Sequence, residues 1–475
     1  MIREYVEKFN SEHEPLYVNA VSDAEAADWM EKNVPHLECS DKQIEETYYF
    51  RWWTYRKHIK STPEGYVITE FLPQVPWSGK YNAIACPAAH HVNEGRWLNN
   101  REYIKDDIRH FLRNTGDALH YQNSLLHSAG MYCLMASDWE FAEEILPQMK
   151  AQYAEWDKAH LKDNGLYSCI ADRDGMEYSI GGDGFRPTLS SYMYGAATVI
   201  ARLCERLGDK DAVIYRSKAE TLRELINDTL WKDGFYTTLH EDGSYADVME
   251  EVGFVPWCFD GLADEDKESA YRFLTDESIF LAPYGITTAD MRHPKFMKNP
   301  VRHECLWDGP VWPYATSQTL TGIYTLLSKK DSAYIKAADY MRLLSQYAKS
   351  HKLYKDGKVI NWIDENIEPF TGQWISRDLI LLDHVYADKF PKERGADYNH
   401  STFCDLVLSG ACGIKIEEGK ITIKPLCIGT WDSFRVDNIE VGKDVFAVSY
   451  DGNKLTLSKN GKTVCEGNEK LEYTI

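Results

Sequence analysis

Residues 193–208 read MYGAATVIARLCERLG, and this segment sets the fold class. Its apolar side chains recur every three or four residues, which is the spacing of one face of an α-helix. Gly208 follows the last apolar position, where a helix commonly ends in a left-handed glycine. After a short link, Ala212, Tyr215 and Ala219 mark the apolar face of a second helix. The segment therefore predicts an antiparallel helical hairpin.

A second hairpin of the same design is predicted further along the chain. Apolar residues recur from Leu320 to Leu327, a polar link follows at residues 329–332, and the helical spacing resumes from Tyr334 to Leu344. Helical periodicity dominates from about residue 100 to about residue 400. We therefore predict a mainly α fold in which paired helices are joined by short links.

The pattern changes after about residue 411. Short alternating runs flank the turns Glu418-Gly419-Lys420 and Asp451-Gly452-Asn453, which predicts a small antiparallel β module. A chain of 475 residues exceeds the size of one typical core, so more than one structural unit is expected. We predict a helical N-terminal extension over residues 1–45, a main helical domain over 46–410 and a β-sandwich-like module over 411–475.

Charge and composition limit the classes of partner. The chain has 74 acidic and 53 basic residues, a net charge of -21, so its field repels nucleic acid and anionic membrane surfaces. No apolar run is long enough to cross a bilayer. The first eight residues carry charges where a secretory signal needs an apolar stretch, so we expect a cytoplasmic protein. The 11 cysteines show no metal-ligand spacing, and neither a metal nor another cofactor is expected.

Aromatic residues are the unusual part of the composition. They make up 13% of the chain, with 14 Trp and 30 Tyr. Tyr and Trp combine a flat apolar face with a polar edge, which suits them to stack on a sugar ring and bond its hydroxyls. For any single aromatic, filling a gap between helices is the commoner role. The surplus as a whole favours a carbohydrate-binding cleft.

Four segments combine acidic or polar groups with aromatic residues between the predicted helices. They are residues 172–187, 303–314, 362–372 and 398–404. Long connections in a compact domain usually carry function. A carboxyl held among like charges and aromatic walls has a raised pKa, which a general acid needs near neutral pH.

Parts of these segments resemble a known enzyme family. The resemblance rests on residues 48–53 (YYFRWW), 175–179 (GMEYS), 307–312 (WDGPVW) and 365–372 (ENIEPFTG), and it covers about Tyr48 to Thr430. The chain is similar to the six-hairpin glycosidases of the trehalase and glucosidase-I superfamily, in particular mannosylglycerate-hydrolase-like domains near glycoside hydrolase family 63. The resemblance implies an (α/α)6 barrel as the catalytic domain, an inverting hydrolase, one catalytic acid from an early loop and one base from a late loop.

The resemblance also implies roles for individual residues. Glu177 falls at the position of the general acid, although many relatives have Asp there, and Asp183 is the substitute. Glu365 falls at the position of the general base. Further residues are expected to contact the sugar: Trp52, Trp77, Asp183, Arg186, Trp307, Asp308, Trp312 and His400.

These roles lead to a mechanistic expectation with open alternatives. An inverting pair of carboxyls lies roughly 6.5–9.5 Å apart, whereas a retaining pair lies about 5–5.5 Å apart. We expect an exo-acting, inverting enzyme that cuts an α-linked hexose from small neutral oligosaccharides. The alternatives are a β-L-arabinofuranosidase-like or rhamnosidase-like enzyme, a sugar epimerase or isomerase that uses histidines, and a carbohydrate-binding protein without catalysis. The histidines to consider are His90, His91, His120, His303 and His400. The sequence leaves the sugar, its linkage, the product anomer and the oligomeric state open.

Overall fold

The computed structural model describes residues 1–355, 357–382 and 391–475. Helices dominate up to residue 382. They are α1 (Ile2–Glu12), α2 (Ala26–Asn33), α3 (Lys42–His58), α4 (Ala88–Gly95), α5 (Glu102–Arg113), α6 (Thr115–Ala118), α7 (Leu125–Ala136), α8 (Trp139–His160), α9 (Pro187–Leu207), α10 (Ala212–Thr229), α11 (Tyr271–Leu274), α12 (Pro313–Lys329), α13 (Ala337–Ser350) and α14 (Ile375–Leu382). Within the described ranges, no helix is both long and apolar enough to span a bilayer.

The hairpin predicted around residue 208 is confirmed as α9 and α10, which pack together along their lengths. Helix α9 begins six residues earlier than the apolar spacing alone indicates, because Pro187 occupies its first turn. Proline has no backbone N–H to lose there and its φ is already helical. Gly208 ends the helix with φ at 71°, in the left-handed region.

The helices form two layers, as a barrel of paired helices requires. Helices α3 and α9 are buried on nearly all sides and belong to the inner layer. Helices α5 and α10 bury one face only and lie outside them. Around the inner layer, α4 packs on α7, α7 on α9, α9 on a 3₁₀ segment (Glu251–Cys258), and this segment on α12. The predicted (α/α)6-barrel class is confirmed.

The strands lie in two larger sheets and several hairpins. They are β1 (His36–Cys39), β2 (Ile59–Thr62), β3 (Gly65–Ile68), β4 (Trp231–Lys232), β5 (Phe235–Tyr236), β6 (Leu281–Ala282), β7 (Gly285–Ile286), β8 (Lys352–Lys355), β9 (Lys358–Asn361), β10 (Ile414–Glu417), β11 (Lys420–Ile423), β12 (Phe434–Val441), β13 (Asp444–Tyr450), β14 (Leu455–Lys459), β15 (Lys462–Gly467) and β16 (Leu471–Thr474). One sheet has the order β1-β12-β13-β14-β15 and the other β10-β11-β16. Both turns that the sequence predicts after residue 411 join antiparallel strands, β10 to β11 and β13 to β14.

The N-terminal segment differs from its prediction. The sequence predicts a helical extension over residues 1–45; α1 and α2 are helical, but β1 is an edge strand of the larger C-terminal sheet. It pairs antiparallel with β12, with Leu37 opposite Val436. The alternation of half-buried His36, buried Leu37, exposed Glu38 and buried Cys39 has the period of a strand, which explains the difference.

Candidate active site

Backbone contacts bring the four aromatic and acidic segments to one rim of the barrel. The amide of Trp307 donates to the carbonyl of Glu177 at 3.0 Å, which joins the first segment to the second. Val311 and Ile367 exchange two backbone bonds, which join the second to the third. The amide of Asn399 donates to the carbonyl of Glu70 at 3.1 Å, so the fourth segment lies beside the connection that follows β3.

Glu177 lies on a tight loop whose backbone requires unusual conformations. Gly175 has φ at 79°, and a Cβ there would collide with the sulfur of Cys86. Tyr178 has φ at 60°. Non-glycine residues with positive φ are uncommon and occur where the surrounding structure enforces them. The loop therefore holds Glu177 in a defined place.

Arg186 holds much of this loop in its conformation. Its guanidinium is fully buried and donates to Asp174 at 2.7 Å, to the hydroxyl of Ser179 at 3.0 Å and to the carbonyl of Gly182 at 2.8 Å. These bonds close the loop on both sides of Glu177. The expectation that Arg186 contacts the sugar is therefore corrected: its donors are directed at the loop.

The Glu177 carboxyl lies in surroundings that favour its protonated form. Burial, together with the negative charges of Glu365, Asp172 and Glu70, raises its pKa to about 8. The side chain is still partly exposed, so a ligand can reach it. A protonated carboxyl on a partly exposed residue is suited to donate a proton near neutral pH.

Glu365 is fully buried on the facing loop. Burial raises its pKa to about 7, while the Arg394 guanidinium, 3.0 Å from its Oε1, acts in the opposite direction. The thiol of Cys305 donates to its Oε2 at 3.0 Å. The charges of both Glu365 and Glu177 raise the pKa of that thiol, so Cys305 lies near both carboxyls.

Arg394, Glu304 and Glu70 are residues of this cluster to which the sequence analysis gave no role. Arg394 also lies 3.0 Å from Glu304, so two carboxylates share one cation. Glu70 is buried and accepts a hydrogen bond from the hydroxyl of Tyr398. Burial raises the pKa of Glu70 to about 8, and the charge of Glu365 adds to the shift. The sequence signal that could have indicated Glu70 is its position directly before Phe71, at the start of an aromatic-rich connection.

Aromatic side chains wall the carboxyl cluster. Trp307 and Trp312 stack with ring centres 4.3 Å apart and planes 14° apart. Phe71 and the partly exposed Trp77 each have the Arg394 guanidinium 5.6 Å from their ring centres. These four side chains belong to one apolar cluster that is distinct from the main core. His400 joins them through Tyr398, whose ring centre is 3.8 Å away.

Three other residues expected at the sugar subsite lie elsewhere or have other partners. Trp52 is fully buried in the main core between Tyr48 and Tyr55, so that expectation is corrected. Asp308 accepts the amide of Asn299 at 2.9 Å and braces that loop. Asp183 is exposed and accepts the amide of Ala171 at 2.8 Å. Both carboxylates thus accept backbone amides from a distant part of their loops.

The histidines considered for an epimerase differ from the carboxyls. Burial lowers the pKa of His90 and of His91 to about 3 and that of His400 well below its ordinary value. These imidazoles are therefore neutral near pH 7. Among the described residues, no group of three or more His, Cys, Asp and Glu side chains is arranged to hold a metal ion.

Comparisons with known proteins agree with this architecture. The model of the family described as mannosylglycerate hydrolase MGH1-like glycoside hydrolase domain matches residues 80–401. A solved structure titled sialidase has 33% sequence identity and a TM-score of 0.90, over 99% of this chain and 44% of that one. The GH78 family rhamnosidase of Bacillus sp. GL1 shares the fold, with a TM-score of 0.56 and 14% identity, over 88% of this chain and 40% of that one.

A sequence relative is known from Borreliella burgdorferi. This uncharacterized protein is 27% identical over 160 residues, which is 33% of this chain and 34% of the relative. The chain thus spans less than half the length of each of these three relatives.

Proposed function

Since the chain belongs to the mannosylglycerate hydrolase MGH1-like glycoside hydrolase domains, we propose that Glu177 and Glu365 are the acid and base with which it hydrolyses a glycosidic bond. The observation that carries this proposal is the cluster in which both carboxyls lie near one thiol, Cys305, inside an aromatic wall. Its substrate is a carbohydrate, as in any glycoside hydrolase.

Glu177 is proposed to protonate the departing oxygen. A general acid must hold its proton until the bond breaks, and its best pKa lies near the working pH. Burial and the neighbouring negative charges give Glu177 a pKa of about 8, so it is protonated at pH 7. Its partial exposure leaves room for the leaving group.

Glu365 is proposed to deprotonate the attacking water. A general base must be ionised, and the Arg394 guanidinium at 3.0 Å stabilises its charged form despite complete burial. Its pKa of about 7 lies below that of Glu177. The base therefore loses its proton first as pH rises, and one pH window has both groups in the required states.

Inversion and a neutral substrate complete the proposal. Inversion requires a water between the sugar and the base. The cluster holds the acids Glu70, Glu177, Glu304 and Glu365 around Arg394, which is already paired with two of them. Glu70 and Glu177 are mostly protonated at pH 7, and the Arg394 charge is already balanced by Glu304 and Glu365, so this cation offers little attraction to a negatively charged sugar. We therefore propose small neutral oligosaccharides as substrates. From the family resemblance we propose an exo-acting, inverting enzyme that cuts an α-linked hexose.

A rhamnosidase-like substrate is the second candidate. The wall that includes Phe71, Trp77 and Trp307 is apolar, which suits the methyl group of a 6-deoxy sugar. A panel of aryl glycosides that includes α-glucoside, α-mannoside, α-L-rhamnoside and β-L-arabinofuranoside separates the candidates.

The experiment compares Glu177→Gln, Glu365→Gln and Asp183→Asn on the substrate that the panel identifies. Each proton transfer contributes about 10²–10⁴-fold, so we expect both Gln variants to lose at least ~100-fold in kcat at an unchanged melting temperature. Asp183→Asn is the matched control and should keep its activity. NMR during the first minutes should show the inverted anomer. Loss of activity in Asp183→Asn with retention in Glu177→Gln would move the acid to Asp183.

A further inference from the structure

A second cavity lies at the opposite mouth of the barrel. Helices α9 and α12 begin beside the carboxyl cluster, and their later turns, with those of α4, line a cavity of about 470 Å³. Strands β10 and β11 lie across this mouth. We call this space the lower cavity. Its volume is in the range of sites for small organic ligands, about 300–1,000 Å³.

The lower cavity has an excess of positive charge in a strongly acidic protein. Its lining contains six basic residues, Arg96, Arg202, Lys329, Lys415, Lys424 and Lys470, against the acidic Asp260, Glu417 and Glu472. Asp405 and Glu418, which are outside the lining, pair with Arg96 and Arg202, so six basic groups face five acidic ones. The whole chain has a net charge of -21. Such a local reversal of sign attracts anions.

One of these cations has an uncharged partner. Lys424 donates from its Nζ to the carbonyl of Leu327 at 2.8 Å, and a carbonyl leaves the ammonium charge in place. His127 lies inside the lower cavity, and burial together with the charges of Arg96 and Arg202 lowers its pKa to about 3, against the opposing charge of Glu417. The Lys424 ammonium thus keeps its positive charge for an anion at this wall.

The walls of the lower cavity combine aromatic faces with hydroxyls. Trp97, Tyr194 and Tyr324 line it together with Thr198 and other hydroxyl residues. A hydroxyl that donates one hydrogen bond can still accept another. Flat apolar faces beside hydroxyls suit the ring of a sugar, as at any carbohydrate site.

A rare backbone form contributes to the same space. Leu406–Ala411 is a π-helix, and its Ser409 lines the lower cavity. π-Helical turns are uncommon and are found frequently at functional sites. This π-helical turn is not explained by the carboxyl cluster, because Ser409 lies at the opposite mouth of the barrel.

A smaller cavity of about 50 Å³ continues from the lower cavity along the barrel axis and shares His127 and Thr321 with it. Thr402 Oγ and Gln318 Oε1 line or border this space and have no hydrogen-bond partner among the described residues. Thr402 is 2% exposed. Buried polar atoms are normally satisfied, so these two indicate a polar occupant in the axis.

We propose that the lower cavity is a second ligand site, separate from the catalytic cluster, for a sugar that carries an anionic group, either phosphate or carboxylate. The sugar ring lies against Trp97 and Tyr324, and the anion is bound by Lys424 with the neighbouring basic residues. This site differs in charge from the catalytic cluster, which is rich in carboxyls.

Calorimetric titration of the full chain at low salt tests the proposal with four probes: glucose 6-phosphate, glucuronate, glucose and inorganic phosphate. We expect glucose 6-phosphate or glucuronate to bind at least about tenfold more tightly than glucose and phosphate, because ring and anion contribute together. The tighter of the two anionic sugars identifies the anion. Equal affinity for glucose and both anionic sugars, or no heat with any probe, would overturn the proposal.

One lysine that lines the lower cavity and one that lies outside its lining provide a matched pair of variants. Lys424→Ala should weaken binding of the anionic sugar by at least about tenfold, whereas Lys462→Ala, at an exposed position of β15 outside the lining of the lower cavity, should not. Lys415→Ala, with a lysine 53% exposed, is the second test if Lys424→Ala fails to fold. The double variant Glu177→Gln/Glu365→Gln should bind the anionic sugar with unchanged affinity. Unchanged binding in both Lys424→Ala and Lys415→Ala, or loss of binding in Glu177→Gln/Glu365→Gln, contradicts a ligand site in the lower cavity.

Discussion

Buried carboxyls around a shared cation determine the chemistry of this site at the scale of single residues. Glu70, Glu177 and Glu365 all have pKa values raised to about 7 or 8, in each case first by burial. Arg394 lies against Glu365 and keeps its pKa lowest of the three. Small differences in partner thus give the same residue type different protonation states at one pH.

The pH dependence of activity follows from these values. Glu365 must be ionised and Glu177 protonated, so kcat/KM should rise through about pH 7, reach its maximum between the two values and fall through about pH 8. Initial rates across this range, with the melting temperature recorded at each pH, provide the measurement. A rising limb at the ordinary value of a glutamate, about 4.5, would show that Glu365 is not the base.

Glu70 should make stability depend on pH. Its pKa is about 8 in the folded chain against an ordinary 4.5, so the folded chain retains a proton that the unfolded chain releases between these values. Stability therefore falls as pH rises through this window. Glu70→Gln removes the ionisation and still accepts from Tyr398, so at pH 8 it should be more stable on the order of 1–3 kcal/mol.

Urea unfolding of Glu70→Gln at pH 5 and pH 8 measures this effect, with the gain expected to shrink at the lower pH. Glu14→Gln is the control because Glu14 is exposed, and it should change stability little at either pH. A gain of the same size at both pH values would contradict a buried ionisation at Glu70.

The sequence indicated the two proposed catalytic glutamates but few of their neighbours. Glu177 and Glu365 lie in short motifs that the family resemblance covers. Arg394 lies in the charged run Lys392-Glu393-Arg394, which resembles a solvated surface, and it enters the site because the chain folds back over Phe71. Trp52 lies in an aromatic motif that resembles a binding surface, yet helix α3 is an inner helix and buries it.

At the scale of elements, a buried ion pair fixes the loop that carries Glu177. Arg186 and Asp174 are both fully buried and lie 2.7 Å apart. The loop ends at Arg186, and α9 begins at the next residue. The loop and the start of an inner helix are therefore positioned by the same side chain.

Removing one partner of this pair should be costly and removing both should be less so. Arg186→Met leaves the Asp174 charge buried and should destabilise the protein by about 3–5 kcal/mol. Arg186→Met/Asp174→Asn should recover a large part of that loss. Urea unfolding of the two variants gives both free energies. Arg3→Met is the control, since Arg3 is 56% exposed and its ion pairs are at the surface, and it should change stability little.

Equal stability of the single and double variants would show that the loop does not depend on charge compensation.

Elements with a strong period were the part of the fold that the sequence predicted well, as α9 and α10 illustrate. The loop from Asp174 to Arg186 has no period, and its form depends on contacts that only the folded chain supplies.

At the scale of the whole molecule, the first and last parts of the chain share one sheet. Strand β1 forms its edge through β12, and the buried face of β1 includes Leu37. The sequence separated these parts into an N-terminal extension and a C-terminal module. A four-residue strand has too little pattern to reveal a partner so far along the chain.

Leu37→Asp tests how far the sheet depends on this edge. A charge at a fully buried position should destabilise the protein by about 3 kcal/mol or more and speed hydrogen exchange at Val436. Glu38→Ala, on the exposed face of β1, is the control and should change both little. Unchanged exchange at Val436 in Leu37→Asp would mean that β12 is stable without its neighbour.

The pairing of β1 with β12 has a consequence for biosynthesis. During translation, residues 36–39 leave the ribosome long before residues 434–437, so the strand waits without its partner while almost the entire barrel is made. Contacts this distant along the chain form slowly, and an unpaired strand edge invites aggregation in the meantime. Completion of this sheet is therefore expected among the last events of folding, and chaperones that shield nascent chains would act on β1.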